Sequence, residues 1–118
     1  VIKEKLMQKI EAIIREEAFD PIKTALEEKG FISMTVSDVV GRGQQKGISF
    51  KRLKWEQRIE FLPKKKIEIV VEDNDLQLVL DTICEISRTG DIGDGKIFVL
   101  PVSEVIRIRT GDKGKEAI

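Results

Sequence analysis

The chain has no histidine, no tyrosine and a single cysteine, Cys84. A disulfide within the chain is therefore excluded, and a structural zinc site lacks the thiolates and imidazoles it would need. Enzymatic chemistry also loses its commonest proton carrier. Surplus charge is missing too, because 21 basic and 21 acidic side chains cancel to a formal net charge of zero. A protein that holds long nucleic acid spreads excess positive charge along a face, so that class is disfavoured, whereas a compact anion needs only a few converging cations. Near-neutrality leaves copies of the chain little mutual repulsion and is compatible with a homo-oligomer. Long apolar runs are absent, since a stretch such as Ile67 to Val71 is far too short to span a bilayer. No basic start leads into a signal-type segment, so the expected location is the cytoplasm, without membrane insertion.

What is present suits one small folded domain: 118 residues, 41% of them apolar and 36% charged. Residues 1–6 precede the first strand and read as a natural extension or an expression remnant, with Met7 suited to initiation; residues 7–118 form the domain. Lys9 to Ile14 is apolar with partial alternation and predicts a strand. Phe19 to Lys29 follows helical period, with Phe19, Ile22, Ala25 and Leu26 on one face, Asp20-Pro21 in the first turn and Gly30 as the stop. Met34 to Val40 predicts a second strand, and Phe61 to Val71 a third, with Pro63 at an edge, bulge or strand entry. Asp73-Asn74-Asp75 offers caps for a helix from Leu76 to Arg88, in which Cys84 falls in the apolar series Leu76, Val79, Leu80, Ile83 and reads as buried. Lys96 to Leu100 predicts a fourth strand, and Val105 to Arg109 a further short strand or ordered tail.

That order gives an α+β, ferredoxin-like β-α-β-β-α-β fold, with both helices on one face of an antiparallel sheet and a long loop over residues 42–60. The sheet's other face, read from Glu68 and Val70, has too little polar surface to meet water comfortably, which points to self-association.

Two glycine-rich stretches carry the chemistry: Gly41-Arg42-Gly43-Gln44-Gln45-Lys46-Gly47 and Thr89-Gly90-Asp91-Ile92-Gly93-Asp94-Gly95-Lys96. A basic segment, Arg107-Ile108-Arg109-Thr110-Gly111, follows both. Glycine lets successive backbone N–H groups converge on an anion, and lysine or arginine neutralises it. Either stretch alone also suits a tight connection. Two with lysine, plus arginines from a third place, suggest a nucleotide-phosphate site assembled from separated loops.

These motifs, with Met34-Thr35-Val36, Leu62-Pro63-Lys64 and Lys66 to Val71, stand in an order that resembles the PII nitrogen-regulatory signalling proteins. The resemblance runs from Met7 to Ile118. It implies a homotrimer that binds ATP or ADP between subunits, takes 2-oxoglutarate beside Mg-ATP, and engages a partner through its long loop. Carried onto this chain, it implies one wall of the nucleotide cleft from Ile13, Thr35, Gly41, Arg42, Gly43, Gln44, Gln45, Lys64 and Glu68. Gly93, Asp94, Gly95, Lys96, Arg107 and Arg109 are implied as the phosphate-binding part contributed across the interface. Gln45 is the implied Mg²⁺ ligand through its carbonyl oxygen, and Gln45 with Lys64 would meet the carboxylates of 2-oxoglutarate. Lys64, Glu68, Arg107 and Arg109 equally suit solvated strand faces, and Gln45 suits a plain turn.

Within the loop, Phe50, Arg52, Leu53, Lys54, Trp55, Gln57 and Arg58 are the candidate partner contacts. Many bacterial relatives carry a nucleotidylated tyrosine near the tip; Gln57 stands at that place and excludes the modification there. Ser49 offers only a common loop hydroxyl. A second departure, Arg15-Glu16 where relatives often have a basic residue and proline, shows no functional consequence in the sequence. The implied partner is an ammonium transporter, recruiting the protein to the inner membrane face, or a nitrogen-metabolism enzyme such as glutamine synthetase or nitrogenase. Two other classes compete. An RNA-binding domain on this architecture needs exposed aromatics on its central strands, and Lys9 to Ile14 and Ile67 to Val71 have none. An ATPase or nucleotidyltransferase fits the phosphate loops but lacks a paired-carboxylate metal site, so at most weak hydrolysis is expected.

Overall fold

The computed structural model describes residues 7–42 and 61–118. Strand β1 (Met7–Arg15) leads through a 3-10 turn (Glu16–Ala18) into helix α1 (Phe19–Glu28) and strand β2 (Thr35–Gly41). Strand β3 (Leu62–Glu72), helix α2 (Asp73–Ser87), strand β4 (Gly95–Val102) and a terminal 3-10 turn (Gly114–Ala117) follow. The strands form one antiparallel sheet in the order β2-β3-β1-β4, the ferredoxin-like arrangement expected from the element order.

Period-two patterning builds the sheet. Ile10, Ala12 and Ile14 of β1 and Ile67, Ile69 and Val71 of β3 are buried on one face, where register sets Ala12 opposite Ile67. Helix α1 meets that face with Ile22 and Leu26, four residues apart, continuing from Ala18 of the preceding 3-10 turn, and α2 meets it with Val79 and Ile83. Each buried Ile or Leu side chain contributes roughly 1.5–3 kcal/mol of transfer free energy. Thr82 is buried with them but satisfied, its hydroxyl donating to the Leu78 carbonyl at 2.7 Å. Helix α1 ends in a Schellman motif: Phe31 N–H donates to the Leu26 carbonyl at 2.8 Å, and Gly30 N–H to the Glu27 carbonyl at 3.0 Å. Gly30 takes φ +92°, which makes it the stop that its position suggests.

Several expectations change. Strand β1 runs through Arg15, and that extra residue proves important for the site. Helix α2 begins at Asp73, so the three acidic and amide residues occupy its first turn, and the cap position falls on Glu72 with no side-chain capping bond. Instead, Asp73 accepts from Gln8 on β1 at 2.9 Å and ties the helix start to the sheet. Pro63 does sit at strand entry: it pairs with Val40 of β2, one residue before the β1 ladder starts at Lys64. Cys84 is half-buried rather than buried. Val105 to Arg109 makes no strand. It folds back through one bridge, Ile106 to Lys113, and a turn in which Gly111 N–H donates to the Arg107 carbonyl at 2.7 Å.

The open sheet face also differs from its expected apolar character. Its centre carries an ion quartet, with Lys9 to Glu68 at 2.5 Å, Lys9 to Glu11 at 3.4 Å and Lys66 to Glu11 at 3.6 Å. Hydrogen bonding to Glu68 raises the Lys9 pKa, and the same bond lowers that of Glu68. The most exposed large apolar side chains of this face lie at the edge, where Phe98 and Leu100 of β4 stand opposite Glu11 and Lys9, while Ile13 and Val70 on the central strands are half-buried. Among the described residues no helix is long and apolar enough to cross a membrane.

Candidate functional site

Strand register gathers distant cations at one end of the sheet. Arg15 lies opposite Lys64, Ile13 lies between Lys66 and Lys96, and Val39 of β2 flanks Lys64. The second glycine turn, residues 89–95, joins α2 to β4 at this end. It is organised around Asp94. One carboxylate oxygen accepts from the Thr89 amide at 2.7 Å and the Gly90 amide at 2.9 Å. The other accepts from the Thr89 hydroxyl at 2.5 Å and from Arg15 Nε and Nη2 at 3.3 and 3.2 Å. The Thr89 hydroxyl and amide, then the Gly90 amide and Arg15, hold this carboxyl far below the usual range despite partial burial.

Two cationic straps bind the turn to the sheet. Arg15 Nη2 donates to the Ile92 carbonyl at 3.0 Å, and Lys64 Nζ donates to the Gly93 carbonyl at 2.8 Å. Gly95 then enters β4 at φ +107°, so close to β1 that a Cβ there would lie 1.9 Å from the Ile13 carbonyl oxygen. Only glycine fits that approach. With the carbonyls of residues 92 and 93 both bonded to cations, the turn is tied to the ends of β1 and β3.

The surrounding cations differ in how far they are neutralised. Lys65 points to the helix side, pairs with Asp38 at 2.5 Å and lies 5.9 Å from the Phe19 ring centroid; the Asp38 hydrogen bond raises its pKa. Lys66 pairs with Glu11. Arg42 stacks over Phe61, 5.6 Å from the ring centroid, across the base of the long connection. Lys96 is exposed at the start of β4 and has no carboxylate partner among the described residues. It is the cation best placed to meet an anion at the turn.

The residues expected at the site fall into three groups. Ile13, Lys64, Gly93, Asp94, Gly95 and Lys96 are brought together, with Gly41 beside the Lys64 stem. This corrects one expectation: residues 93–96 share a wall with Ile13 and Lys64 of the same chain and do not face them across an interface. Thr35 and Glu68 pair with each other one row further along the open face, where Glu68 is engaged by Lys9. Arg107 and Arg109 stand apart. The tail leaves from the opposite end of β4, whose eight residues span roughly 23 Å at about 3.3 Å per residue. There Arg107 pairs with Asp112 at 3.7 Å and reaches the Ile118 carbonyl at 3.4 Å.

Gly43, Gln44 and Gln45 lie outside the described residues, as do Phe50, Arg52, Leu53, Lys54, Trp55, Gln57 and Arg58. Residues 1–6 and the hydroxyl of Ser49 lie outside them as well. Among the described residues no three Asp, Glu, Cys or His side chains form a metal-holding group, and both Asp94 oxygens are already taken. Arg15 and Thr89 are the residues that sequence reasoning missed. A signal existed for Arg15: a basic residue ending an apolar strand sits where that strand's neighbours also turn.

Comparison with known proteins gives a consistent result. The sequence model of the family "Nitrogen regulatory protein P-II" matches residues 7–112. The chain is 53% identical over 112 residues to nitrogen regulatory protein P-II of Nostoc punctiforme, covering 95% of this chain and 100% of the relative. It is likewise 53% identical over 112 residues to nitrogen regulatory protein P-II 2 of Methanothermobacter thermautotrophicus, covering 95% and 97%. The crystal structure of Arabidopsis thaliana PII bound to citrate is similar at a TM-score of 0.80 and 42% identity, covering 100% of this chain and 97% of that one.

Proposed function

The chain belongs to the Nitrogen regulatory protein P-II family, and from that premise we propose that it is a non-enzymatic sensor of ATP, ADP and 2-oxoglutarate. It acts as a homotrimer whose nucleotide sites lie between subunits. The single observation that most supports this reading is the preformed turn at residues 89–95, strapped by Arg15 and Lys64, with Lys96 unneutralised at its exit. Such a turn would receive phosphate oxygens through the backbone N–H groups that the Asp94 network leaves over and through one ammonium, and it carries no histidine for proton transfer.

The placement of Arg107 and Arg109 fits a cleft completed by a second chain. One subunit supplies the turn, Ile13 and Lys64, and its neighbour supplies the two arginines. Mg²⁺ favours oxygen ligands, and the described residues provide no cage for it, so it would be held by nucleotide phosphates and the Gln45 carbonyl oxygen. When bound, the ion adds positive charge that favours a dicarboxylate beside the phosphates. The citrate on the Arabidopsis relative is a carboxylate ligand on the same fold, which supports a carboxylate effector here. Lys64 would meet one end of that effector. Because Lys64 stands four residues beyond the segment 43–60, its change of partner would reach the partner-binding loop. The proposed target is an ammonium transporter, with glutamine synthetase or nitrogenase as the alternative, and the protein works in the cytoplasm.

Titration calorimetry tests this reading. ATP and ADP should compete for one site per chain, and Lys96→Ala should weaken both by roughly 2 kcal/mol. 2-Oxoglutarate should bind appreciably only with Mg-ATP present, as linkage between the two ligands requires. Equal 2-oxoglutarate affinity with ADP, with ATP and without nucleotide would reject the coupling.

A further inference from the structure

The 89–95 turn is held by a hydrogen-bond network built on Asp94. Four bonds in that network are local, from Thr89 and Gly90 to Asp94 and from the Asp91 amide to the Thr89 hydroxyl at 3.2 Å. Local bonds close the turn on itself but do not aim it. The aim comes from Arg15, 79 positions earlier, whose guanidinium grips Asp94 and the Ile92 carbonyl at once. We infer that Arg15 is a positioning residue for the nucleotide site, acting through Asp94 to hold the glycine turn against the end of β1, and making no contact with the ligand itself.

Geometry supports the assignment from three sides. Arg15 is the last residue of β1, so its backbone is fixed by pairing with Lys64 of β3. Its planar fork spends Nε and Nη2 on Asp94, and Nη2 also on the Ile92 carbonyl. Its guanidinium also packs under Gly93, where a Cβ would lie 3.2 Å from Nη2. Because its guanidinium is already committed to Asp94 and the Ile92 carbonyl, Arg15 contributes field and rigidity to the turn. Lys64, by contrast, holds Gly93 through one flexible ammonium and can exchange that bond for a ligand oxygen. The two straps thus have separate duties: one fixes the turn and the other releases it.

This inference rests on the reading that the turn receives nucleotide phosphates, and the test separates the two. In the ligand-free full chain, amide hydrogen exchange at Thr89 and Gly90 should accelerate at least roughly tenfold in Arg15→Met, because a charge-assisted strap is lost. Arg15→Lys should restore part of the protection, and Lys64→Met should leave Thr89 and Gly90 nearly unchanged. ATP affinity is then measured in a double-mutant cycle of Arg15→Met with Asp94→Asn. Positioning through Asp94 requires that Arg15→Met weaken ATP by about tenfold alone and by little more in the Asp94→Asn background. Fully additive losses would show that Arg15 does not act through Asp94 and would overturn the inference. Unchanged exchange in Arg15→Met would overturn it equally. Wild-type protein that fails to bind ATP would instead defeat the functional reading, leaving the exchange result to decide whether Arg15 aims the turn.

Discussion

At the residue scale, Asp94 shows how a side chain with the chemistry of a ligand can be wholly occupied in shaping a site. Its oxygens are filled by Thr89, Gly90 and Arg15, so it gives the turn its form, and the proposed ligand contacts fall to Lys96 and the backbone. This occupation has a signature in acid. The folded state holds the Asp94 pKa below its ordinary 3.8, so the ionised form stabilises the fold at every pH above that ordinary value. The contribution is lost as pH falls from 3.8 through the lower folded value, and is intact between pH 7 and 5. A carboxyl-carbon NMR titration should therefore place the Asp94 inflection clearly below 3.8, with Thr89 and Gly90 amide shifts moving at the same pH. An inflection at or above the ordinary value would mean that the network is absent in solution. Arg15→Met should move the inflection upward only in part, because the Thr89 hydroxyl is the larger cause and remains.

At the element scale, the site depends on how closely β1 and β4 approach at their paired ends. Gly95 lies opposite Ile14 in register, and its missing side chain is what allows the Ile13 carbonyl to sit there. Gly95→Ala should push the strands apart and destabilise the protein by roughly 3 kcal/mol or more, from steric overlap plus a strained positive φ. Gly41→Ala is the control: it has no positive φ, and its nearest neighbour is the Lys64 Cγ at an ordinary 3.6 Å. Denaturant melts at matched protein concentration should show a large loss for the first and a change within about 0.5 kcal/mol for the second. Similar losses for both would refute the close-approach argument. The same elements mark what was legible beforehand. Ile10, Ala12 and Ile14 announce β1 by alternation and Gly30 announces a helix stop, because each signal is local, whereas Pro63 left edge, bulge and strand entry open and the pairing chose strand entry. The start of α2 was less legible, since Asp73, Asn74 and Asp75 each suit a cap and only packing chooses among them. Val105 to Arg109 alternates as a strand would, but alternation specifies a period and not a neighbour, and the tail pairs only through one bridge. The Arg15–Asp94 contact was illegible for a stronger reason: it exists only once β1 and β4 are paired.

At the scale of the whole molecule, the charged open face and the proposed division of the site between subunits point to the same assembly. The quartet of Lys9, Glu11, Lys66 and Glu68 balances its own charge, so a neighbouring chain can cover it without stranding an ion. Phe98 and Leu100, 48% and 41% exposed beside it, supply apolar area for that cover. The arginines argue independently. Arg107 and Arg109 follow the end of β4 opposite to the glycine turn, which suits the proposed site completed by a second subunit. Assembly and nucleotide affinity should therefore fail together. Sedimentation equilibrium should give a mass three times the 13.4 kDa of the chain for wild type, and a smaller species for Phe98→Glu/Leu100→Glu. A folded dissociated variant should lose ATP affinity by at least as much as Arg109→Ala does, roughly tenfold or more from lost charge-assisted phosphate contacts. Adding Arg109→Ala to it should then cost nothing further, because the arginine is already out of reach. A dissociated variant that keeps wild-type ATP affinity would show that one chain holds the whole nucleotide site, and Arg109 would have to be reassigned to structure.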